Sequence, residues 1–98
     1  MGRGKRKRTE VESAYYRAIG ARIREVRLAK SVTLLALATA IGVSESDVCA
    51  IELHGRSLTV YKVVGIAKFL DVSVGTLIRH CAYIEVPKTA SCIVQKSL

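Results

Sequence analysis

The sequence predicts a compact all-α domain. Apolar residues recur at helical spacing along several stretches, so each stretch has one face to bury. Hydroxyl residues stand where helices should begin and glycine where one should stop. Half of the 98 residues are apolar, with Val, Ile, Leu and Ala dominant and a single proline, so the chain has the composition of a folded protein.

The centre of the pattern runs from Val32 to Glu52. Thr33 can cap a first helix over about 33–41, because its hydroxyl satisfies an orphan backbone donor. Leu37, Ala38 and Ile41 then share one face. Gly42 is the stop, and Val43 fills a tight turn. Ser44 caps a second helix, over about 44–53, with Asp47 three residues on as a shortened capping box. Val48 and Ile51 form its inner face. Small or turn-compatible residues (Ala38, Gly42, Val43, Ser44) stand where two such helices must cross closely.

Ahead of this unit, residues 10–30 read as helix 1. Glu10 and Glu12 suit the positive end of its dipole, and Ile19, Ile23 and Val26 make its buried stripe. After it, residues 54–57 read as a loop. Thr59 caps a helix over about 59–70, with Val60, Val63, Val64, Ala67 and Leu70 on its apolar face. Asp71, Val72 and Ser73 turn the chain into a helix over 74–82, with Leu77 and Ile78 inward. Residues 1–9 combine glycine with like charges and are expected to be a disordered arm. Residues 83–98 hold two weakly β-prone stubs around Pro87, which suit a small hairpin or strand used for dimerisation, or a loosely packed tail. The expected organisation is thus an arm at 1–9, a domain at 10–82 and an extension at 83–98.

An ordered series of motifs, from about Ile19 to Ile78, resembles the lambda-repressor and Cro-like helix-turn-helix family (xenobiotic-response-element type) of DNA-binding regulators. It comprises Ile19-Gly20-x-x-Ile23-Arg24, Val26-Arg27, Leu37-Ala38, Ile41-Gly42-Val43-Ser44, Ile51-Glu52, Ile66-Ala67-x-x-Leu70 and Val72-Ser73. The resemblance implies five short helices around one core and a partly buried ion pair between Arg27 and Glu52. It also implies that the second helix of the unit enters the major groove of double-stranded DNA. On that reading Glu45, Ser46 and Ala50 face bases with Cys49 beside them, and Ser44 lies near phosphate. Thr33 and Leu34 stand at the DNA-facing start of the preceding helix. A homodimer follows, since one such helix reads only a half-site. Helix 5 with residues 83–98 is the first choice for its surface.

Two departures from the family pattern bear on function. Glutamine or arginine, which bond two base atoms at once, is absent from the reading positions. Leu34 replaces the usual glutamine, and Leu35 follows where a polar residue is common. An outward leucine pair suits a protein partner. A protein-interaction module with non-specific DNA affinity is therefore the alternative to a sequence-specific regulator.

The net charge is +8, and Arg3, Lys5, Arg6, Lys7 and Arg8 supply five of those charges within the first eight residues. With Arg22, Arg24, Arg56 and Lys62, this arm would draw affinity from phosphate through release of counterions. No apolar run approaches a membrane span, so no membrane association is expected. The expected setting is cytoplasmic, with the nucleoid. Three cysteines with no C-x-x-C pair argue against a disulfide framework or a standard zinc pattern, and no metal or cofactor is expected. The positive end of the helix over 44–53 could make Cys49 oxidisable, but a small residue chosen for fit is the favoured reading. His54 and His80 have no carboxylate or nucleophile nearby in sequence, and no phosphate-binding glycine motif appears, so no enzyme is expected.

Overall fold

Every described helix begins at a hydroxyl. Thr9, Thr33, Ser44, Thr59 and Ser73 are the five N-caps, and each accepts a hydrogen bond from the backbone N–H three residues on. The computed structural model describes residues 8–79. Over that range the chain forms α1 (Glu10–Ala29), α2 (Leu34–Ile41), α3 (Glu45–His54), α4 (Val60–Leu70) and α5 (Val74–Ile78). No strand occurs among the described residues. The expectations for Arg3, Lys5, Arg6, Lys7, His80, Cys81, Cys92 and the extension at 83–98 fall on residues outside this range.

The N-terminal boundary differs from the one read in the sequence. Thr9 belongs to α1: Thr9 Oγ1 accepts from the Glu12 N–H at 3.1 Å, and Glu12 Oε1 accepts from the Thr9 N–H at 2.8 Å. This reciprocal box satisfies two otherwise unpaired groups at once. At the other ends, Gly42, Gly55 and Asp71 take the left-handed conformation that turns a helix off.

All five helices contribute to one core. Ile23, Leu37, Ile51, Ile66, Leu70 and Leu77 are its largest fully buried side chains, from every helix. Leu58, in the loop before α4, is also buried, although a loop residue has no periodicity to announce it. Val60 and Ile78 correct the predicted faces: they are 79% and 40% exposed. Each lies at the end of a helix, where its stripe runs past the edge of the core.

Helix α1 lies against α3 without a side chain at the crossing. A Cβ at Gly20 would collide with the carbonyl oxygen of Ile51, and one at Gly55 with the backbone of Tyr16. Gly55 additionally holds φ at +66°, which side chains disfavour.

Candidate nucleic-acid interface

The turn between α2 and α3 sets the geometry. The Gly42 N–H donates to the Thr39 carbonyl at 3.3 Å, and the Val43 N–H reaches back to the Ala38 carbonyl at 3.0 Å. That wrap satisfies the last carbonyls of α2 and ends it abruptly. The chain then bends by 101° into α3, within the range of a helix-turn-helix. Ser44 Oγ accepts from the Asp47 N–H at 3.1 Å, and Asp47 Oδ2 accepts from the Ser44 N–H at 3.3 Å. The first turn of α3 is therefore fixed at its tip.

That tip is open. Ser44, Glu45, Ser46 and Asp47 are exposed, while Val48 and Ile51 behind them are buried. Cys49 and Ala50 are half-buried further along the outward side. Leu53 extends the same face two turns beyond Glu45 and is 59% exposed. Leu53 lies outside the motifs read along the chain, although its spacing from Glu45 and Cys49 carries the signal. The tip carries two acids. Asp47 is held in the cap, which leaves Glu45 as the outward carboxylate.

An ion pair locks the unit to α1. Arg27 Nε donates to Glu52 Oε2 at 2.7 Å, and Nη2 donates to Glu52 Oε1 at 3.1 Å. Nη1 donates to the Val32 carbonyl at 2.9 Å, so one guanidinium joins α1, the segment before α2, and α3. Both side chains are buried. The hydrogen bond to Glu52 raises the Arg27 pKa above its ordinary value, against the opposing effect of burial.

The predicted basic residues divide by direction. Arg24 is exposed and borders a hollow of about 170 Å³ with Leu34 and Cys49, beside the starts of α2 and α3. Arg22 corrects the expectation of a phosphate contact. Two residues earlier on α1, it lies about 200° around the helix. Its Nε donates to the Thr76 carbonyl at 3.0 Å and its Nη1 pairs with Glu25 at 2.9 Å, which ties α1 to α5. Arg56 is exposed in the α3–α4 loop, with its N–H donating to the Ala50 carbonyl at 3.3 Å. Lys62 turns back on the same loop, its Nζ donating to the Ser57 carbonyl at 3.0 Å. Arg8 stacks its guanidinium 4.0 Å from the centre of the Tyr16 ring, a cation–π contact. Since Tyr16 abuts Gly55, the base of the arm is tethered near that loop.

At the start of α2, Thr33 Oγ1 accepts from the Ala36 N–H at 3.0 Å. Leu34 is partly buried against the core, and Leu35 is 59% exposed. The outward leucine pair that a protein partner would use is therefore not formed. Among the described residues no cluster of three His, Cys, Asp or Glu stands ready for a metal. No single described helix is long and apolar enough to cross a membrane.

No family model matches the chain, and neither does any curated protein. Among solved structures, the chain is similar to the restriction-modification controller protein C.AhdI from Aeromonas hydrophila. The identity is 30% and the TM-score 0.60, over 65% of this chain and 97% of that one. This chain belongs to the lambda-repressor/Cro-like helix-turn-helix family. As a member it combines a tightly stopped α2, a capped α3 and the Arg27–Glu52 lock with two unusual surface choices. Those are Leu34 at the start of α2 and an acidic tip on α3.

Proposed function

We propose that this protein is a sequence-specific transcriptional regulator that binds double-stranded DNA as a homodimer and reads the major groove with α3. The observation that carries the reading is the tip of α3: capped, braced by buried residues, and open beyond a 101° turn. A rigid tip positions base-reading side chains without ordering them at the moment of binding. The likeness to a restriction-modification controller supports the regulatory half of the reading.

Within this proposal Ser46 and Glu45 meet base edges, Glu45 accepting from a cytosine amine. Ala50 and Cys49 offer apolar contact and close approach. Ser44, Thr33, Arg24, Arg56 and the basic arm hold phosphate, and Lys62 supports the loop that carries Arg56. Few side chains reach bases in two places, so DNA shape carries part of the specificity. The protein acts by binding, with no chemical step, in the cytoplasm with the nucleoid.

The test is selection from a random-sequence DNA pool across a salt titration, with the full chain and a version lacking residues 1–8 run side by side. A palindromic motif recovered with both proteins supports the proposal, with half-sites about one helical turn apart. Loss of the arm should flatten the dependence of log K on log salt by roughly 0.9 for each phosphate contact removed. Binding by the full chain without enrichment of any motif would overturn sequence-specific reading by α3.

A further inference from the structure

We infer that the apolar part of the outward side of α3 reads thymine, with Ala50 and Cys49 taking the C5-methyl group of that base in each half-site. This inference rests on the major-groove reading above and adds a base identity to it. Chemistry divides the outward side of α3 in two. Its tip, from Ser44 to Asp47, is polar and exposed. Behind the tip stand Cys49, Ala50 and Leu53, which offer no charge and no strong hydrogen-bonding group. Leu53 is 59% exposed, so the far end of this strip is open to solvent. A hollow of about 170 Å³ runs beside it, walled in part by Leu34, Cys49 and Leu53. Arg27 and Glu52 also line the hollow, but they are buried and bind each other. An apolar wall remains, with the exposed Arg24 at its edge.

The chemistry of the major groove names the base. Base edges there present hydrogen-bonding groups, and the thymine methyl is the apolar group among them. A polar edge placed against Ala50 and Cys49 loses its water and gains no partner, which costs affinity. Thymine meets the same two residues with carbon. Side-chain size agrees. The short side chain of Ala50 and the small thiol of Cys49, both half-buried, leave room for a methyl group to approach the helix. Glutamine or arginine would fill that space. Position agrees as well. At the rise of an α-helix, Ala50 lies about 7.5 Å behind Glu45. That distance corresponds to about two base-pair steps. Each half-site thus combines a cytosine for Glu45 with a thymine about two steps away.

Uracil in place of thymine tests this, because the two bases differ only by the methyl group. Each thymine of the motif recovered by the DNA selection is replaced in turn, within one half-site, and binding of the full natural chain is measured at one fixed salt concentration. The expected result is one thymine whose replacement weakens binding by about four-fold, the worth of one buried methyl group. For Ala50→Gly, which has no Cβ to meet the methyl, the same replacement should cost less than about two-fold. A motif without thymine, or uracil tolerated at every position, would overturn the inference and leave major-groove reading by α3 standing. So would a loss that Ala50→Gly and Cys49→Ser both leave unchanged, since another group would then hold the methyl. Selection that recovers no motif overturns the function proposed above, and this inference with it. The uracil series uses the natural chain, so its outcome does not depend on how well either variant folds.

Discussion

The side of α1 that closes on α3 and the side that closes on α5 are built on different terms. Toward α3, bare glycine meets backbone at Gly20 and Gly55, and the Arg27 fork grips Glu52 in a buried setting. Toward α5, the contact is an apolar groove and a half-exposed strut from Arg22 to the Thr76 carbonyl. The first arrangement depends on atomic position, because neither a steric collision nor a buried charge has room to adjust. The second depends mainly on apolar area and tolerates change. The DNA-reading helix of the proposed function is mounted on the demanding side, and that is where accuracy of placement matters.

The largest expected effect breaks the buried pair. Glu52→Ala leaves the Arg27 guanidinium buried beside an empty space and should cost about 3–5 kcal/mol, measured by denaturant unfolding. Next is Gly20→Ala, which forces a Cβ against the Ile51 carbonyl and should cost about 1–3 kcal/mol in the same assay. A glycine away from this contact should behave in the opposite way. At Gly65 an added Cβ meets nothing nearer than Ile41 Cγ2 at 3.8 Å. Gly65→Ala should therefore stabilise α4 by about 0.5–1 kcal/mol, seen as a raised midpoint with an unchanged denaturant slope. If Gly20→Ala and Gly65→Ala shift stability alike, the contrast between the two sides of α1 fails.

The smallest expected effect is a null against pH. The folded-state pKa of Arg27 is raised, so its contribution is fully present below the unfolded value and is lost only as pH rises through the folded one. Both lie above the range of ordinary buffers, because an unperturbed guanidinium already titrates above about pH 12. The stability gap between the natural chain and Glu52→Ala should stay constant from pH 7 to about pH 11, followed by thermal melts. A gap that closes within that window would show that a group other than Arg27 controls the lock.

Local chemistry made much of the central unit legible. Thr33, Gly42, Ser44 and Asp47 act through bonds within a few residues of themselves, and they lie in the structure as the caps and stops read from the chain. Arg27 and Glu52 are separated by 25 positions, and spacing alone could not join them. Family resemblance supplied that pairing. Arg22 and Arg24 look equivalent in the sequence, but only the helix they share and its neighbours decide that one braces α5 while the other borders the face of α3. Leu34 and Leu35 separate for the same reason, since adjacent residues on a helix diverge by about 100°.

By itself, the sequence determined the helical class, the position of the turn and the identity of the capped tip, because these follow from hydrogen bonds made close along the chain. Only tertiary structure decided why Gly20 must lack a side chain, where each arginine points, and that Val60 and Ile78 border an open groove while Leu58 is buried. Those outcomes depend on which surfaces meet across the fold, and periodicity along one helix carries no record of where its neighbour ends.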